Sequence, residues 1–386
     1  MRTGLQDDLE YTYIQLLKHP LLALDRQKRL QFEELYKRKK SLEMDEAALV
    51  DALTSLTVFF GDGHTNMELP YTGEDRCLNF PCRWSEHDGD VLLLDSRYGD
   101  IEEGTEILTV EDLPMTALIT LLSEKIPHEN RYLVKSRMIH YPYKNYHLFS
   151  QMNLSALFGI KKSYRISFSA NGRIVERECP LSAYNGFLEF RQGRECLSYA
   201  LFSDTAVLHL NACICDETYK ETLQFLAHAC RRRGIRSFIL DLSKNMGGSS
   251  AVIDEFIRYV SIKEFRRYGM IEYSSGVPQR KSDRREIVQN PRQEICLPER
   301  LYCRVSHDTF SSAKSFAVTL KDNGLATVIG TATGGKPTSF GLPRRYRTPL
   351  ASISFRVSTS LFLRPDAEQD EEISLFPDVA LPELFK

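Results

Sequence analysis

The chain has 386 residues with a formal net charge of −2, and 42% of them are hydrophobic and 26% charged. That length is enough for two or three domains with separate cores. The small net charge provides no electrostatic basis for nucleic acid or an anionic membrane as the main partner. No apolar run approaches the roughly 20 residues of a membrane span, and residues 1–6 are not a signal peptide. We therefore expect a cytoplasmic protein, or an extracytoplasmic one if a leader has been removed.

The cysteines predict neither a disulfide framework nor a metal site. Nine is an odd number, no Cys-x2-Cys pair occurs, and no histidine stands at ligand spacing beside them. We expect reduced, mostly buried thiols, no metal and no cofactor. The cysteines are Cys77, Cys82, Cys179, Cys196, Cys213, Cys215, Cys230, Cys296 and Cys303.

Residues 1–75 are predicted to form an N-terminal helical segment. Apolar residues recur at helical spacing from Leu5 to Lys18, a second helix begins near Asp25, and a third covers Asp45 to Phe60. The third helix stops at the turn 61–63, where two glycines flank an aspartate. His64 follows this turn, so the sequence predicts that it lies on a constrained loop.

Residues 76–188 are predicted to form a separate module built on a sheet. A hairpin is expected to turn at His87–Asp88–Gly89, and a second hairpin at Asn171–Gly172. Between them, Ile101 to Lys125 has the pattern of a turn, a strand, a turn and a helix. The order of these elements predicts a compact domain between the helical segment and the remainder.

Residues 189–386 alternate strands with helices. Thr205 to Cys213 is a predicted strand, Asp216 to Arg233 an amphipathic helix, and Ser237 to Leu242 the next strand. Such alternation predicts parallel βαβ units with right-handed crossovers. Arginine, serine and glutamine dominate Glu264 to Glu299, which we interpret as a long loop or insertion near the site. Beyond Gly341, alternating residues predict a β-hairpin formed by 344–348 and 352–363.

Two turns of this region have the character of a catalytic site. Ser311 follows a predicted strand and begins an amphipathic helix, where unpaired N–H groups and the helix dipole favour an oxyanion. The alternative is that Ser311 and Ser312 only cap the helix. A second turn, at Gly247–Gly248, also follows a buried strand, and glycine lets backbone N–H groups approach a ligand. Both turns are expected at one edge of the sheet, with Gly248 or Gly247 and Ser312 binding the oxyanion.

Four motifs in a fixed order resemble the S41 serine peptidases. They are FGDGHT at 60–65, DLSKNMGG at 241–248, TFSSA at 309–313, and GTATGGKP at 330–337, followed by a Glu371…Pro377–Asp378 ending. The family includes C-terminal processing, tail-specific and tricorn-type proteases and the chlamydial protease-like factor. The resemblance implies an α/β fold with a catalytic core related to crotonase and Clp protease. It also implies a PDZ-like domain at 76–188 and a polypeptide substrate.

The resemblance implies Ser311 as the nucleophile and leaves two general bases open. Lys336 matches the lysine of processing proteases, whereas His64 matches the histidine of tricorn-type relatives, with Glu371 as its orienting carboxylate. Histidine accepts a proton near neutral pH without desolvation, so we favour His64. The acidic cluster leaves the register open, and Glu372 or Asp370 are the alternatives to Glu371.

A rival hypothesis is a non-catalytic protein of the same fold that binds peptides. One departure from the family pattern favours it, because Ser243 replaces the usual arginine after Asp-Leu. The PDZ-like pattern also departs, since Gly104 is followed by Thr105 rather than aspartate. The oligomeric state, the cleavage preference and peptide binding by the PDZ-like module stay open at this point.

Overall fold

The computed structural model of the protein describes residues 4–79, 81–85, 91–140, 143–184, 195–283 and 286–380. The N-terminal region consists of four helices and a short strand. Side-chain oxygens of Asp25 and Asp45 accept backbone N–H groups at the starts of the third and fourth helices, which is why these helices begin there. The elements are α1 (Gly4–Leu16), α2 (Pro20–Leu24), α3 (Arg26–Lys40), α4 (Glu46–Val58) and β1 (Asn66–Glu68).

The described part of the second region contains an antiparallel sheet, a separate pair of strands formed by the first and last strands below, and three helices. The predicted hairpin at Asn171–Gly172 joins two of its strands, whereas the turn at His87–Asp88–Gly89 and the boundary at 188 lie outside the described residues. The elements are β2 (Arg76–Cys77), β3 (Cys82–Trp84), β4 (Leu92–Leu94), β5 (Glu106–Val110), β6 (Leu113–Pro114), α5 (Met115–Ser123), α6 (Arg131–His140), α7 (Gln151–Phe158), β7 (Ser163–Ala170), β8 (Arg173–Pro180) and β9 (Ser182–Ala183).

The third region contains a six-stranded sheet and several antiparallel strands around it. Its elements are β10 (Leu197–Leu201), β11 (Thr205–Leu210), α8 (Glu217–Arg233), β12 (Ser237–Asp241), α9 (Ala251–Ile257), β13 (Glu264–Arg266), β14 (Gly269–Ser274), β15 (Val277–Ser282), β16 (Ile287–Gln289), β17 (Arg300–Val305), α10 (Ser311–Asp322), β18 (Thr327–Gly330), β19 (Ser339–Gly341), β20 (Arg344–Arg347), β21 (Ser354–Val357), β22 (Ser360–Leu363) and β23 (Val379–Ala380).

The six-stranded sheet brings the two predicted turns together. Its strand order is β10-β11-β12-β17-β18-β23, and all neighbours from β11 onward are parallel. Because β12 and β17 are adjacent and parallel, the turns that follow them leave the same edge of the sheet. These are the turns that carry Gly247–Gly248 and Ser311. Buried side chains of α8, α9 and α10 pack on this sheet and form one hydrophobic cluster with it.

The N-terminal region joins the third region through a shared sheet and a shared core. Strand β1 pairs antiparallel with β21, and Met67 lies opposite Phe355. Both side chains are buried with those of the four N-terminal helices. The loop that carries His64 is therefore attached to strands close to the other end of the chain.

The interpretation of Glu264 to Glu299 as a long loop is wrong. This segment contains β13, β14, β15 and β16, and β14 extends a sheet by pairing with β22. Strands β13 and β16 have only three residues each, and nearly all residues of β15 are exposed, so hydrophobic periodicity alone did not reveal these strands. A search of the described helices found none long and apolar enough to cross a bilayer.

Candidate active site

Ser311 has a strained backbone at the start of α10. Its φ angle is +52°, a value that is uncommon for any residue other than glycine. The residue that caps the helix is Phe310, whose N–H donates to the carbonyl of Asn245 at 3.1 Å. This bond ties the serine turn to the glycine turn. Ser311 is therefore not the cap of this helix.

The hydroxyl of Ser311 contacts His64. Nε2 of His64 lies 3.0 Å from Oγ of Ser311, and the imidazole ring stacks on the ring of Phe310 with centroids 4.6 Å apart. Asp62 holds the loop, because its carboxylate accepts the backbone N–H groups of His64 at 2.8 Å and Thr65 at 3.1 Å. The FGDGHT turn thus presents the imidazole toward the serine.

The Asp62 carboxylate is the fixed negative charge beneath the imidazole. It is fully buried, and it also accepts hydrogen bonds from Nε2 of His19 at 3.1 Å and from the hydroxyl of Ser358 at 2.6 Å. Burial alone would raise its pKa, but the hydrogen bonds from His19 and His64 hold that pKa well below its usual value. Asp62 is therefore ionised at neutral pH.

A second carboxylate faces the same imidazole. Nδ1 of His64 lies 3.6 Å from Oε1 of Glu129 and 3.5 Å from Oδ1 of Asp62. Burial lowers the pKa of His64, yet its contacts with Asp62 and Glu129 outweigh this and leave that pKa raised. Catalytic hydrogen bonds are often long before substrate binds. Two anions at Nδ1 favour the tautomer with a proton there, which leaves Nε2 free to accept one.

Glu129 comes from the second region, between α5 and α6, and hydrogen bonds made by three residues fix its segment. Its Oε2 accepts the backbone N–H of Lys336 at 2.7 Å. The amide of Asn130 donates to the carbonyls of Thr333 at 3.2 Å and Ile373 at 2.8 Å. Arg137, fully buried on α6, donates to the carbonyls of Gly63 and Pro127. The second region therefore contributes directly to the site.

The structure does not bring the predicted carboxylates to His64. The side chain of Glu371 is exposed. Glu372 pairs with the buried guanidinium of Arg364 at 2.6 Å, and Asp370 accepts the hydroxyl of Thr338 at 2.6 Å. The acidic segment is thus folded around Arg364. Nothing in the sequence around Glu129 indicated its position, because it is brought to the site by contacts between two regions.

Lys336 contributes its backbone, and its side chain is exposed. The backbone N–H of Lys336 donates to Glu129, whereas the sequence had suggested that the side chain of Lys336 could be the base. A Cβ atom on the preceding residue, Gly335, would lie 2.9 Å from Oε2 of Glu129. Gly335 therefore permits the close approach to the carboxylate, whereas a Cβ atom on Gly334 would lie 2.2 Å from the carbonyl oxygen of His307.

The three residues predicted for the oxyanion hole lie around Ser311 but differ in their hydrogen bonding. The N–H of Gly247 donates to Oδ1 of Asn245 at 2.9 Å, so it is not available to a ligand. Within the described residues, no hydrogen bond uses the N–H of Gly248 or of Ser312. The hydroxyl of Ser312 donates to the carbonyl of Gly248 at 2.7 Å and joins the two turns. The N–H groups of Gly248 and Ser312 are thus better placed to bind an oxyanion than that of Gly247.

Asp62, His64 and Glu129 also have the composition of a metal site, since one ligand atom from each lies within 4.8 Å of the others. Both oxygens of Asp62 already accept hydrogen bonds, and Oε2 of Glu129 accepts another. Oε1 of Glu129 accepts no hydrogen bond, but a cation at Nδ1 would have to share an oxygen of Asp62 with its present donors. The arrangement fits a protonated Nδ1 better than a metal ligand.

The site opens into a cavity of about 730 Å³ that His64 and Ser311 line. Its wall includes strands β14 and β15, from the segment that was expected to be a loop. It also includes Lys314, a buried cation that the sequence analysis did not single out. Its position, one helical turn after Ser311, is the signal that would have indicated it.

Comparison with known proteins identifies a family for the third region and a set of structures with a similar fold. Residues 204–381 match the model of peptidase family S41. No curated protein matches the chain by sequence. The structure of mature CPAF is similar to this one with a TM-score of 0.72 and 13% identity, and the match covers 98% of this chain and 92% of that one.

Two further solved structures share the fold. The photosystem II D1 C-terminal processing protease has a TM-score of 0.53 and 13% identity over 98% of this chain and 94% of its own. A putative peptidase from Parabacteroides merdae has a TM-score of 0.52 and 15% identity over 98% and 90%. The mixed α/β fold is thus that of S41 proteases. The region 204–381 therefore belongs to peptidase family S41, and the protein is a serine-type peptidase.

Proposed function

We propose that the chain is a serine endopeptidase in which Ser311 is the nucleophile, His64 the general base and Glu129 the orienting carboxylate. The observation that carries the proposal is the 3.0 Å contact between Nε2 of His64 and Oγ of Ser311. A serine hydroxyl is a weak nucleophile until a base takes its proton. In this site His64 already contacts the hydroxyl of Ser311 and can take its proton.

The reaction would proceed by acyl transfer. Oγ of Ser311 attacks the peptide carbonyl as its proton moves to Nε2 of His64, and the N–H groups of Gly248 and Ser312 bind the oxyanion. The imidazolium then returns the proton to the leaving amine, and an ester to Ser311 remains. Water, deprotonated by His64, attacks the carbonyl of this ester. The bond between Oγ of Ser311 and the acyl carbon then breaks as His64 returns the proton to Oγ, and the second product is released. Glu129 and Asp62 stabilise the imidazolium in both steps.

The lysine-dependent alternative has less support. The Lys336 side chain is exposed, so its ammonium lacks the desolvation that a lysine base requires. The non-catalytic alternative is disfavoured because a binding protein has no need of a strained serine in contact with a histidine. We retain Lys336 as a residue that positions Glu129 through its backbone.

We further propose that the second region is a PDZ-like module and that the third is a crotonase-like core. The succession of β5, β6 and α5 supports the first assignment, and the parallel order of the six-stranded sheet supports the second. A module of this kind binds an extended peptide by adding it to a sheet edge. Unstructured or C-terminal segments of polypeptides are the substrates that suit such an arrangement.

A fluorophosphonate probe tests the proposal, with mass spectrometry of the modified peptide and parallel hydrolysis of casein. We expect one adduct, on Ser311, and no adduct or hydrolysis in Ser311→Ala. Ser312→Ala is the matched control, and it should still be labelled. An adduct on Ser312 instead, or full hydrolysis by Ser311→Ala, would remove Ser311 from the mechanism.

A further inference from the structure

Lys314 is a cation buried beside the nucleophile without a carboxylate partner. It is 1% exposed and lies on α10, one turn after Ser311. Its Nζ donates to the carbonyl of Pro337 at 3.1 Å and to the hydroxyl of Ser339 at 2.9 Å. No ion pair between described residues includes it. An ammonium group has three donors, so two neutral oxygens leave one donor unused.

Burial of an unpaired charge is unfavourable unless a counter-charge arrives. Burial lowers the pKa of Lys314 to about 8, although the negative charge of Glu129 opposes this shift. The group is thus still mostly protonated at neutral pH. The contacts with Pro337 and Ser339 hold Nζ in place, but they do not neutralise it.

The surroundings of Lys314 fit a substrate side chain with an apolar stem and an acidic end. Lys314 lines the same cavity as Ser311 and His64, and the aromatic rings of Tyr268, Phe265 and Phe362 line it too. Nζ lies 5.8 Å from the centroid of the Tyr268 ring. These rings would enclose methylene groups, while the one remaining N–H of Lys314 would meet a carboxylate oxygen.

Charge in the rest of the cavity favours an anion as well. Asp254 is the carboxylate among its lining residues, and it pairs with Arg267 at 2.9 Å. Arg280 also lines the cavity from β15 and is exposed. Among the described lining residues, Lys314 and Arg280 have no counter-charge. Asp62 and Glu129 approach Nδ1 of His64, and Glu272 lies opposite Arg280 on β14, but these three carboxylates do not line the cavity. A cavity with an excess of positive charge concentrates anionic groups.

We propose that Lys314 determines specificity by binding the side-chain carboxylate of a Glu or Asp next to the scissile bond. The proposal rests on the proposed peptidase function and deepens it. A base role for Lys314 is not needed, because His64 already contacts the Ser311 hydroxyl. A single point charge with one free donor suits a carboxylate, whereas a phosphate would call for several donors.

The test measures kcat/KM for quenched peptides that are identical except for Glu, Gln or Leu at the residues flanking a mapped cleavage site. We expect the wild-type enzyme to prefer Glu over Gln at one of these positions by at least about tenfold, the effect of one charge-assisted bond. Lys314→Met should abolish that preference. Lys321→Met is the matched control, because Lys321 lies on the same helix, pairs with Asp378 and does not line the cavity.

Fluorophosphonate labelling separates this proposal from the one on which it rests. Labelling of Ser311 in Lys314→Met at the wild-type rate shows an intact site, and Lys314→Arg, which keeps the charge, should retain the preference for Glu. Normal labelling with equal rates for Glu, Gln and Leu would overturn the pocket and leave the peptidase standing. A rate that depends on a free C-terminus, as judged with amidated peptides, would also overturn it. Absence of both labelling and hydrolysis in the wild-type protein would overturn both proposals.

Discussion

Nε2 of His64 lies 3.0 Å from Oγ of Ser311, although 247 positions separate the two residues in the chain. The contact depends on the pairing of β1 with β21, which attaches the histidine loop to the third region. It also depends on Phe310, which stacks on the imidazole and is the N-cap of the helix that starts at Ser311. The geometry of the two residues is therefore set by three separate parts of the chain.

The general base is tested by His64→Ala beside Lys336→Ala. We expect the first change to lower kcat by several orders of magnitude, because Ser311 loses the group that takes its proton. The second should have a small effect, since Glu129 accepts the backbone N–H of residue 336 and alanine retains it. Steady-state kinetics on one peptide, with circular dichroism to verify folding, measures both. An inverted ranking would identify Lys336 as the base.

The orienting carboxylate is tested by Glu129→Gln, with Glu371→Gln as its matched control. The first change should lower kcat by at least about tenfold, because the imidazolium loses an anion. It should also move the rising limb of the pH profile of kcat/KM. The active form has a neutral His64 whose pKa is raised above 6.5, so the wild-type limb lies above that value and the limb of Glu129→Gln lies lower.

Glu371→Gln should leave both the rate and the pH profile unchanged, because its side chain is exposed. If Glu371→Gln shifted the limb and Glu129→Gln did not, the C-terminal carboxylate would be the orienting group after all. A loss of rate without any shift in Glu129→Gln would mean that the residue acts only on the position of the loop.

Gly247 is predicted to tolerate no side chain. A Cβ atom there would lie 2.6 Å from the Cβ of Ser311 and 3.1 Å from the carbonyl oxygen of Phe310. We expect Gly247→Ala to lose most of its fluorophosphonate labelling. Gly324→Ala is the control, because Gly324 also has a positive φ angle but a Cβ atom on it would meet nothing within 4 Å. Equal losses in the two variants would attribute the effect to backbone strain rather than to the collision.

Acid should destabilise the protein through its buried neutral histidines. Burial lowers the pKa of His147 to about 3 and also lowers the pKa of His19. Below about 6.5 the unfolded chain binds protons that the folded chain does not, so the free energy of unfolding falls as pH drops from 6.5 toward 3. The slope is up to about 1.4 kcal/mol per pH unit for each group.

Urea unfolding at a series of pH values measures this slope. In the wild-type protein Nδ1 of His147 accepts the N–H of Phe149 at 3.3 Å, and asparagine in His147→Asn keeps a side-chain acceptor for it. The variant should lose the contribution of one histidine to the slope of unfolding free energy against pH. The raised pKa of His64 has the opposite effect on the free energy of unfolding, because the stabilisation that protonated His64 provides is lost as pH rises. This effect is the same in the wild-type protein and in His147→Asn. An unchanged slope in the variant would refute the assignment.

Activity should persist in the presence of a metal chelator. Asp62, His64 and Glu129 carry the ligand atoms that could suggest zinc, but hydrogen bonds already occupy both oxygens of Asp62. Hydrolysis of one peptide before and after dialysis against EDTA measures the effect. Loss of turnover that added zinc restores would show that the cluster holds a metal.

Local patterns were sufficient to predict several elements of the fold. The helix boundaries at Asp25, Asp45 and Asp216 follow from side chains that cap them, and each is the N-cap in the structure. The parallel arrangement of β11 and β12 follows from the helix between them. These features depend on residues close together in sequence, where propensity and hydrogen bonding act directly.

Features made by distant contacts could not be predicted in the same way. Glu129 has no local signal, because its role depends on the N–H of Lys336 and on the buried Arg137, which donates to the carbonyls of Pro127 and Gly63. Strand β14 lies between β15 and β22, and its pairing with β22 joins segments that are far apart in the sequence. The motifs identified the serine and histidine as candidates, but a motif with one acidic residue among several could not specify which carboxylate reaches the imidazole.

The bonds from Ser358 to the histidine loop have a consequence for synthesis. The hydroxyl of Ser358 donates to Asp62 at 2.6 Å, and its N–H donates to the hydroxyl of Thr65 at 3.0 Å. A ribosome produces the histidine loop early and Ser358 almost 300 residues later. The histidine loop therefore lacks these two hydrogen bonds until Ser358 has left the exit tunnel. We therefore expect a nascent chain that already contains Ser311, but from which Ser358 has not yet emerged, to be proteolytically inactive.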